Sequence, residues 1–109
     1  MNENRHDRLQ EALREVAAEF LVREANRNAL ITVTRAVLSE DMKRATIYIT
    51  VLPDSMEQAA VKFANRNRTE LRDFFKKRVR GSFPPDVSFE IDMGEKNRLR
   101  LDFLGSNPT

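Results

Sequence analysis

The residues of this chain whose type and spacing could carry chemistry are basic, and they concentrate between Lys62 and Arg80. That segment holds eight Lys or Arg residues and two acidic ones. Four of the cations recur every four residues: Arg68, Arg72, Lys76 and Arg80. On a helix this spacing forms a ridge with steps of about 6 Å. Phosphates of a nucleic-acid strand lie roughly 6 to 7 Å apart, so the ridge could follow such a backbone; the alternative is a solvated helix face.

The hydrophobic spacing of the same segment predicts the helix that would carry this ridge. Its apolar residues fall at i, i+3, i+4 and i+8: Leu71, Phe74, Phe75 and Val79. They form a stripe suited to a core. Gly81 is apt as the residue past a helix end, so the helix is predicted to reach Arg80. The run from Asn65 to Thr69 contains poor helix formers and, in Thr69, a possible cap, which predicts a kink or break before the basic helix.

A helix and a β-hairpin are predicted at the start of the chain. Apolar residues at helical spacing, with an acid-rich face beside them, predict a long helix from Arg5 to about Glu24 and a loop over residues 25–29. Two β-branched runs, Ile31 to Leu38 and Ala45 to Leu52, flank a short polar turn and predict the hairpin. Its second strand should bury one face and leave the other wet. The buried face is predicted to hold Ala45, Ile47, Ile49 and Val51.

A second helix and a third strand complete the pattern. Pro53 should end the hairpin, and Asp54 or Ser55 should cap the second helix. Its buried stripe is predicted to be Met56, Ala59, Ala60, Phe63 and Ala64. Alternation in VSFEID, residues 87–92, predicts the third strand. The stretch 93–109 could be strand or short helix, with fraying from Gly105 onward. The prediction is an α+β domain, α-β-β-α-α-β, whose three-stranded sheet is covered by helices on one face.

Composition and charge limit the classes of protein to consider. With 109 residues, the chain is predicted to be one domain, 1–109, with 93–109 as a partly flexible C-terminal extension. The net charge is only +2, but residues 1–58 carry eight Lys/Arg and ten Asp/Glu, whereas residues 59–109 carry eleven and seven. This asymmetry favours one-sided attraction to a polyanion. The chain has no cysteine, no membrane span and no secretory signal pattern, so we expect a cytoplasmic monomer.

Catalytic and metal-binding chemistry find little support in the sequence. The sole histidine, His6, lies near a terminus expected to be mobile, and no nucleophile, phosphate-binding or dinucleotide motif is present. Glu90 and Asp92 would share a strand face and could hold a hard cation, but a wet sheet face is the simpler interpretation. Tyr48 could stack a base, although one aromatic does not make a platform. We therefore predict no enzymatic activity, no metal and no cofactor.

The hairpin sequence ITVTRAVLSEDMKRATIYITVL resembles that of the bacterial ribosome-binding factor A family. The segment ELRDFFKKRVRGSFPPDVSFEID resembles the closing segment of that family, and Glu95, Arg98 and Leu99 resemble its C-terminal continuation. The resemblance extends from about Arg8 to Leu104 and implies a type II KH-like fold. KH domains bind nucleic acid with a GXXG loop, which this sequence lacks. The family has an Ala-x-Gly kink where this chain has Asn67-Arg68-Thr69, so contacts from the Arg68 and Arg72 side chains should matter more.

The resemblance implies a non-enzymatic assembly factor that binds the free 30S ribosomal subunit and its 16S rRNA. Such a factor assists late maturation and 16S rRNA processing, with ribosomal proteins as further candidate contacts. The predicted RNA-binding residues are Arg66, Asn67, Arg68, Thr69, Arg72, Lys76, Lys77 and Arg80, with Lys43 and Arg44 of the hairpin turn. The alternative is a protein-interaction module that uses the acidic first helix or an exposed sheet edge.

Overall fold

The computed structural model describes residues 4–24, 29–81 and 83–105, without the side chains of residues 23, 24 and 102–105. Its elements in chain order are α1 (Arg5–Glu24), β1 (Leu30–Leu38), β2 (Arg44–Leu52), α2 (Glu57–Arg66), α3 (Arg68–Arg78), β3 (Asp86–Ile91) and α4 (Met93–Gly105). This order confirms the predicted α-β-β-α-α-β arrangement, and the ambiguous stretch after residue 92 begins as a helix. The predicted loop after α1 lies mostly outside the described residues.

The three strands form one sheet in the order β1-β2-β3. β1 and β2 pair antiparallel, as a hairpin requires, with a bulge between Val33 and Arg35. β3 pairs parallel to β2, from Arg44↔Asp86 to Ile49↔Ile91. A parallel pair needs a crossover connection, which α2 and α3 supply. β2 is therefore central, and β1 and β3 form the two edges.

The core lies between one face of this sheet and the helices α1, α2 and α3. The predicted inward residues of β2 are all buried, at 5% exposure or less: Ala45, Ile47, Ile49 and Val51. The opposite face is drier than predicted, since Thr46, Tyr48 and Thr50 are half-buried. Part of the cover comes from the Arg35 guanidinium, which lies 4.2 Å from the centroid of the Tyr48 ring. Arg35 thus uses its planar cation to shield an aromatic ring from water.

The start of α2 differs from the sequence prediction. Asp54 and Ser55 lie inside a short 3₁₀ turn, Asp54–Met56, and no described side chain caps either that turn or α2. The predicted cap is therefore wrong. Ala59 is exposed rather than buried, because it lies about 100° around the helix from the buried Ala60 and still further from Ala64.

Side chains from the helices hydrogen-bond to the backbone of both edge strands. On β3, Asn65 Oδ1 accepts the Phe89 N–H at 2.9 Å, and its Nδ2 donates to the Phe89 carbonyl at 3.4 Å. On β1, the Leu38 N–H donates to Gln10 Oε1 at 2.9 Å, and His6 Nε2 donates to the Leu38 carbonyl at 2.8 Å. These contacts satisfy edge groups that would otherwise be free to pair with another strand. They also fix the positions of α1 and α2 against the sheet.

Candidate nucleic-acid interface

The predicted break between α2 and α3 is present and falls at Asn67, whose φ is −100° and ψ is 14°. The Asn67 N–H donates to the carbonyls of Phe63 and Ala64, and its Nδ2 donates to the Phe63 carbonyl at 2.8 Å. The amide therefore satisfies the end of α2. Because φ is negative, this kink requires no glycine. The predicted cap by Thr69 is wrong: Thr69 lies in the first turn of α3, and no side chain in the described ranges caps that helix.

The α3 flank, which we define as Arg68, Arg72 and Lys76, forms the predicted basic ridge along the described helix. Leu71 and Phe75 are buried and fix the rotation of α3, and all three flank cations are exposed. Arg68, Thr69 and Arg72 line a shallow cavity of about 290 Å³ whose opposite wall is Pro85, Asp86 and Val87. Two arginines and a hydroxyl therefore share one open depression at the start of β3.

The hairpin turn lies beside this flank. The Asp86 N–H donates to the Lys43 carbonyl at 2.9 Å, which joins the turn to the start of β3. Lys43 and Arg72 consequently line one groove, which we call the turn groove. Arg44 begins β2 beside Asp86 and is exposed. By the alternation of β2 it lies on the sheet face that α1, α2 and α3 leave open. Of the two turn cations predicted to bind RNA, the structure brings Lys43 to the groove and leaves Arg44 on the other side of the sheet.

Three other predicted site residues lie off the flank. Lys77 is five residues after Arg72, which places it about 140° around the helix axis. α3 ends at Arg78, and Val79 is extended with φ −121° and ψ 93°, so Arg80 does not continue the ridge and the predicted helix end is wrong. Arg66 is exposed at the last residue of α2, on the other side of the kink.

The flank cations differ from Arg78 and Lys96 in their pairing. Arg78 Nη1 lies 2.8 Å from Glu19 Oε2, and its guanidinium lies 4.9 Å from the Phe74 ring centroid. Lys96 Nζ lies 2.8 Å from Glu57 Oε2. Within the described part of the chain, by contrast, no carboxylate lies within 4.0 Å of the charged groups of the α3 flank or of Lys43. Their charge is therefore available to an anionic ligand.

The acidic face of α1, the basis of the alternative hypothesis, is largely engaged within the chain. Arg14 Nη2 lies 2.6 Å from Glu11 Oε2 and 4.0 Å from Glu15 Oε1. The Arg14 hydrogen bond lowers the pKa of Glu11 below its usual value. Glu19 pairs with Arg78 of α3. These pairs partly neutralise the acidic charge on which the alternative depends, while the three carboxylates stay exposed.

Asp92 has a role that the sequence analysis did not identify. Its carboxylate is buried and accepts three hydrogen bonds, from the Thr34 hydroxyl at 2.6 Å, the Glu95 N–H at 3.0 Å and Arg35 Nε at 3.3 Å. These donors, Thr34 foremost, lower its pKa. The interpretation of Asp92 as part of a wet sheet face is therefore wrong, and Asp92 instead joins β1 to the start of α4. An Asp three residues before Glu95, at the end of an alternating run, was the available signal for an N-cap.

His6 lies in the first turn of α1, and its ring is hydrogen-bonded to the Leu38 carbonyl. Its hydrogen bond to the Leu38 carbonyl is the main cause that raises the pKa of His6 above the ordinary value, and the contact with Asp7 raises it further.

Within the described ranges, every helix is too short or too polar to cross a membrane. The same ranges contain no group of three or more His, Asp or Glu side chains placed to hold a metal ion.

Solved structures of similar fold confirm the predicted α+β, KH-like architecture. The crystal structure of ribosome-binding factor A from Thermus thermophilus matches with a TM-score of 0.71 and 22% identity, covering 81% of this chain and 97% of that one. The solution structure of a putative ribosome binding factor A from Thermotoga maritima matches with a TM-score of 0.68 and 24% identity, covering 83% and 90%. A homology model of the Thermus protein, fitted into a cryo-electron microscopy map of its complex with 30S, also matches with a TM-score of 0.68 and 24% identity. It covers 76% of this chain and 90% of that one.

Sequence comparison extends the likeness from fold to family. The family model described as ribosome-binding factor A matches residues 5–104. A relative of that name from Methylobacterium nodulans is 33% identical over 105 residues, covering 92% of this chain and 78% of the relative. Another from Bradyrhizobium diazoefficiens is 31% identical over 103 residues, covering 94% and 72%. The match extends through α1, the sheet, the α2–α3 kink and α4, and on this evidence the chain belongs to the ribosome-binding factor A family.

Proposed function

We propose that this chain, as a single-domain monomer in the cytoplasm, binds the free 30S ribosomal subunit and assists its late maturation. The observation that carries the proposal is that four exposed cations with no carboxylate partner in the described chain, the α3 flank and Lys43, come together beside the kink and the hairpin turn. Arg68, Arg72 and Lys43 line two depressions that share Arg72 and Asp86, and Lys76 lies one turn further along α3. Family membership and the 30S complex of a structural neighbour support the choice of the small subunit.

In the proposed mechanism the protein acts by position, without catalysis. The flank and Lys43 bind phosphates of folded 16S rRNA and release counterions from them. Occupancy of that site stabilises one arrangement of the immature RNA and assists its processing. The factor leaves when the mature arrangement competes for the same contacts. Asp86 borders both depressions and repels phosphate, so the bound backbone should follow α3 rather than the start of β3.

A salt series with purified 30S subunits tests this proposal. With four phosphate contacts, the logarithm of the association constant should fall with the logarithm of the salt concentration with a slope of about −3 to −4. The variant Arg68→Glu/Arg72→Glu/Lys76→Glu should lose saturable binding. A control with the same change in net charge is Arg8→Glu/Lys62→Glu/Arg100→Glu, which changes exposed cations outside the α3 flank and outside the predicted RNA-binding residues. Thermal unfolding of both variants verifies that they are folded.

The outcomes separate a binding surface from a general charge effect. Loss of binding in the flank variant together with retention in the control supports the proposal. Equal losses in both would mean that net charge, rather than this surface, controls binding. A slope near zero for the wild-type protein, or undiminished binding by the flank variant, would refute the proposal.

A further inference from the structure

Phe83 is an exposed aromatic residue at the edge of the turn groove. Its exposed fraction is 90%, although phenylalanine is a residue type usually found inside proteins. Pro84 and Pro85 follow it, and both are buried. A residue before proline is restricted to extended conformations, so the buried prolines hold the Phe83 backbone in one geometry. The ring is therefore presented to solvent from an anchored base.

The turn groove beside Phe83 combines an apolar floor with a cationic rim. Its volume is about 470 Å³. Leu9 is buried and Met42 half-buried, and together with Pro84 they supply apolar surface. The cations that line it come from three separate elements: Arg5 of α1, Lys43 of the hairpin turn and Arg72 of α3. An aromatic ring, an apolar floor and converging cations fit a ligand that has both a flat apolar ring and negative charge.

The two acidic residues of the groove do not cancel this cationic rim. One Asp41 oxygen, Oδ1, accepts the Ser39 hydroxyl at 2.6 Å and the Lys43 N–H at 3.1 Å, so part of this carboxylate is engaged within the turn. Asp86 is the second acid, and its N–H is bonded to the Lys43 carbonyl. Three cations thus face two carboxylates, a formal excess of one positive charge, and one oxygen of the Asp41 carboxylate is occupied by donors of the turn.

The hairpin turn that supplies Met42 and Lys43 adopts a conformation that most residues avoid. Met42 has φ of +62°, in the left-handed region where glycine or asparagine is usual. A glycine there would remove the strain and also remove the side chain that lines the groove. The turn therefore keeps an apolar side chain at this position despite a strained backbone.

We infer that Phe83 stacks an unpaired RNA base, while the cationic rim of the turn groove holds the phosphates beside it. The inference rests on the proposed function, which makes RNA the ligand, and adds a site for one unpaired nucleotide. Every base has a π-face, so stacking on Phe83 would tolerate many sequences. Paired RNA keeps its bases stacked inside the duplex and cannot offer one to Phe83. An uncharged protein surface fits this site less well because the groove beside the ring is lined by three cations.

A tryptophan introduced at position 83 gives a direct readout, since the chain contains no tryptophan of its own. The probe is a ten-nucleotide adenosine RNA, and the matched probe is an abasic ribose-phosphate strand of the same length and charge. Val22→Trp supplies a control fluorophore at a residue that is 79% exposed. Position 22 is thirteen residues after Leu9, roughly 20 Å further along α1. Titrations at low salt compare the two variants with each probe.

The expected result is saturable quenching of Phe83→Trp by the adenosine strand, with little quenching by the abasic strand and none of Val22→Trp. In parallel, Phe83→Ala should weaken adenosine-strand binding by about five-fold or more, the loss typical of one stacked base. Because Phe83 is exposed, this substitution should leave thermal unfolding unchanged. Equal quenching by the two strands, or unchanged affinity in Phe83→Ala, would overturn the inference.

A further measurement separates the inference from the proposed function. If the wild-type protein binds 30S subunits through the α3 flank while Phe83→Ala binds the adenosine strand as tightly as wild type, the stacking site is refuted and the proposed function stands. If the wild-type protein binds neither subunits nor the adenosine strand, both are refuted. A fluorescence response of Phe83→Trp to RNA-free proteins of the small subunit, without any response to RNA, would assign Phe83 to a protein contact and overturn the inference.

Discussion

Substitution of Asp92 tests the claim that one buried carboxylate joins β1 to the start of α4. Asp92 accepts bonds from the Thr34 hydroxyl, the Glu95 N–H and Arg35 Nε. Its main chain is bonded too, since its N–H donates to the Ile49 carbonyl and its carbonyl accepts the Lys96 N–H. Asp92→Ala would remove the three side-chain bonds and keep both backbone bonds. The loss in stability can therefore be assigned to the carboxylate.

The expected magnitude follows from the partners of the carboxylate. Loss of the N-cap bond to Glu95 costs about 1 kcal/mol. A bond from a hydroxyl to a charged acceptor contributes about 1.5–3 kcal/mol, but the Thr34 hydroxyl also lies 3.2 Å from the Tyr48 carbonyl and keeps that partner. The Arg35 side chain is 56% exposed, so its ion pair adds little. We expect Asp92→Ala to lower the free energy of unfolding by about 2–4 kcal/mol.

The pH dependence provides a second test of Asp92. Its pKa is lowered by the Thr34 hydroxyl and the Glu95 N–H, so the folded state binds the proton less readily than the unfolded state. The stabilisation is therefore present above the unfolded pKa of about 3.9 and is lost as the pH falls through the lower folded value. Urea unfolding of wild type and Asp92→Asn between pH 2 and 7 measures this, and the two curves should converge at low pH.

Asp92→Asn also serves as the matched control for Asp92→Ala. The amide keeps one oxygen that can accept a hydrogen bond, so its loss should be smaller, about 1–2 kcal/mol. A loss below 0.5 kcal/mol in Asp92→Ala, or a constant difference between wild type and Asp92→Asn at every pH, would show that the carboxylate does not join these elements as argued.

Three further predictions concern His6, Asn65 and the glycines. The Leu38 carbonyl raises the pKa of His6. The stabilisation that wild type has over His6→Gln should therefore be complete below about pH 6.5 and fade as the pH rises through the raised value. Denaturant unfolding at pH 5.5–8.5 measures this, and a constant difference in unfolding free energy between the two proteins would contradict it. Asn65→Leu should lower the free energy of unfolding in urea by about 1–3 kcal/mol, because it leaves the Phe89 N–H unpaired. Asn65→Asp keeps an oxygen that accepts this bond and should lose less stability. Equal losses in the two variants would refute the role of Oδ1. Gly81 has φ of +82°, so Gly81→Ala should lower the free energy of unfolding by about 1 kcal/mol. Gly94 lies in α4, so Gly94→Ala should raise the free energy of unfolding by up to about 1 kcal/mol. Thermal unfolding measures both changes, and a reversal of these signs would contradict the backbone argument.

The secondary structure could be predicted because its determinants are local. The apolar spacing of α1 and the alternation of β2 are periodic over many residues, and each period is dictated by the backbone geometry of the element. The break at Asn67 was also predictable from a run of poor helix formers. The α2–α3 crossover permits the parallel pairing of β3 with β2 but does not dictate it, so the strand order and direction came from the structure.

The details that the sequence could not show depend on contacts between distant segments. The four-residue spacing of the basic ridge gives no sign that α3 ends at Arg78, and this is why Arg80 was placed on the ridge. The edge contacts of Asn65 and His6 join residues 24 and 32 positions apart. The shortest hydrogen bond to the Asp92 carboxylate, 2.6 Å long, comes from the Thr34 hydroxyl, 58 residues earlier in the chain. A periodicity argument considers one element at a time, so it cannot identify a side chain whose partner belongs to another element.

The basic face of this protein is smaller than its composition suggests, because tertiary contacts divide its cations. Of the eight Lys or Arg residues between positions 62 and 80, Arg78 is paired with α1 and Lys77 faces away from the α3 flank. The three flank cations follow one side of α3, and Arg72 among them lines the turn groove. Lys43 joins them because the Asp86 N–H holds the hairpin turn against β3, and Asn65 holds α2 against the same strand. Both hydrogen bonds are made by the backbone of β3, the strand that begins three residues after Phe83. β3 therefore fixes the positions of the α2–α3 kink and the hairpin turn relative to Phe83. It follows that Asn65→Leu should weaken RNA binding as well as stability, although Asn65 need not contact RNA.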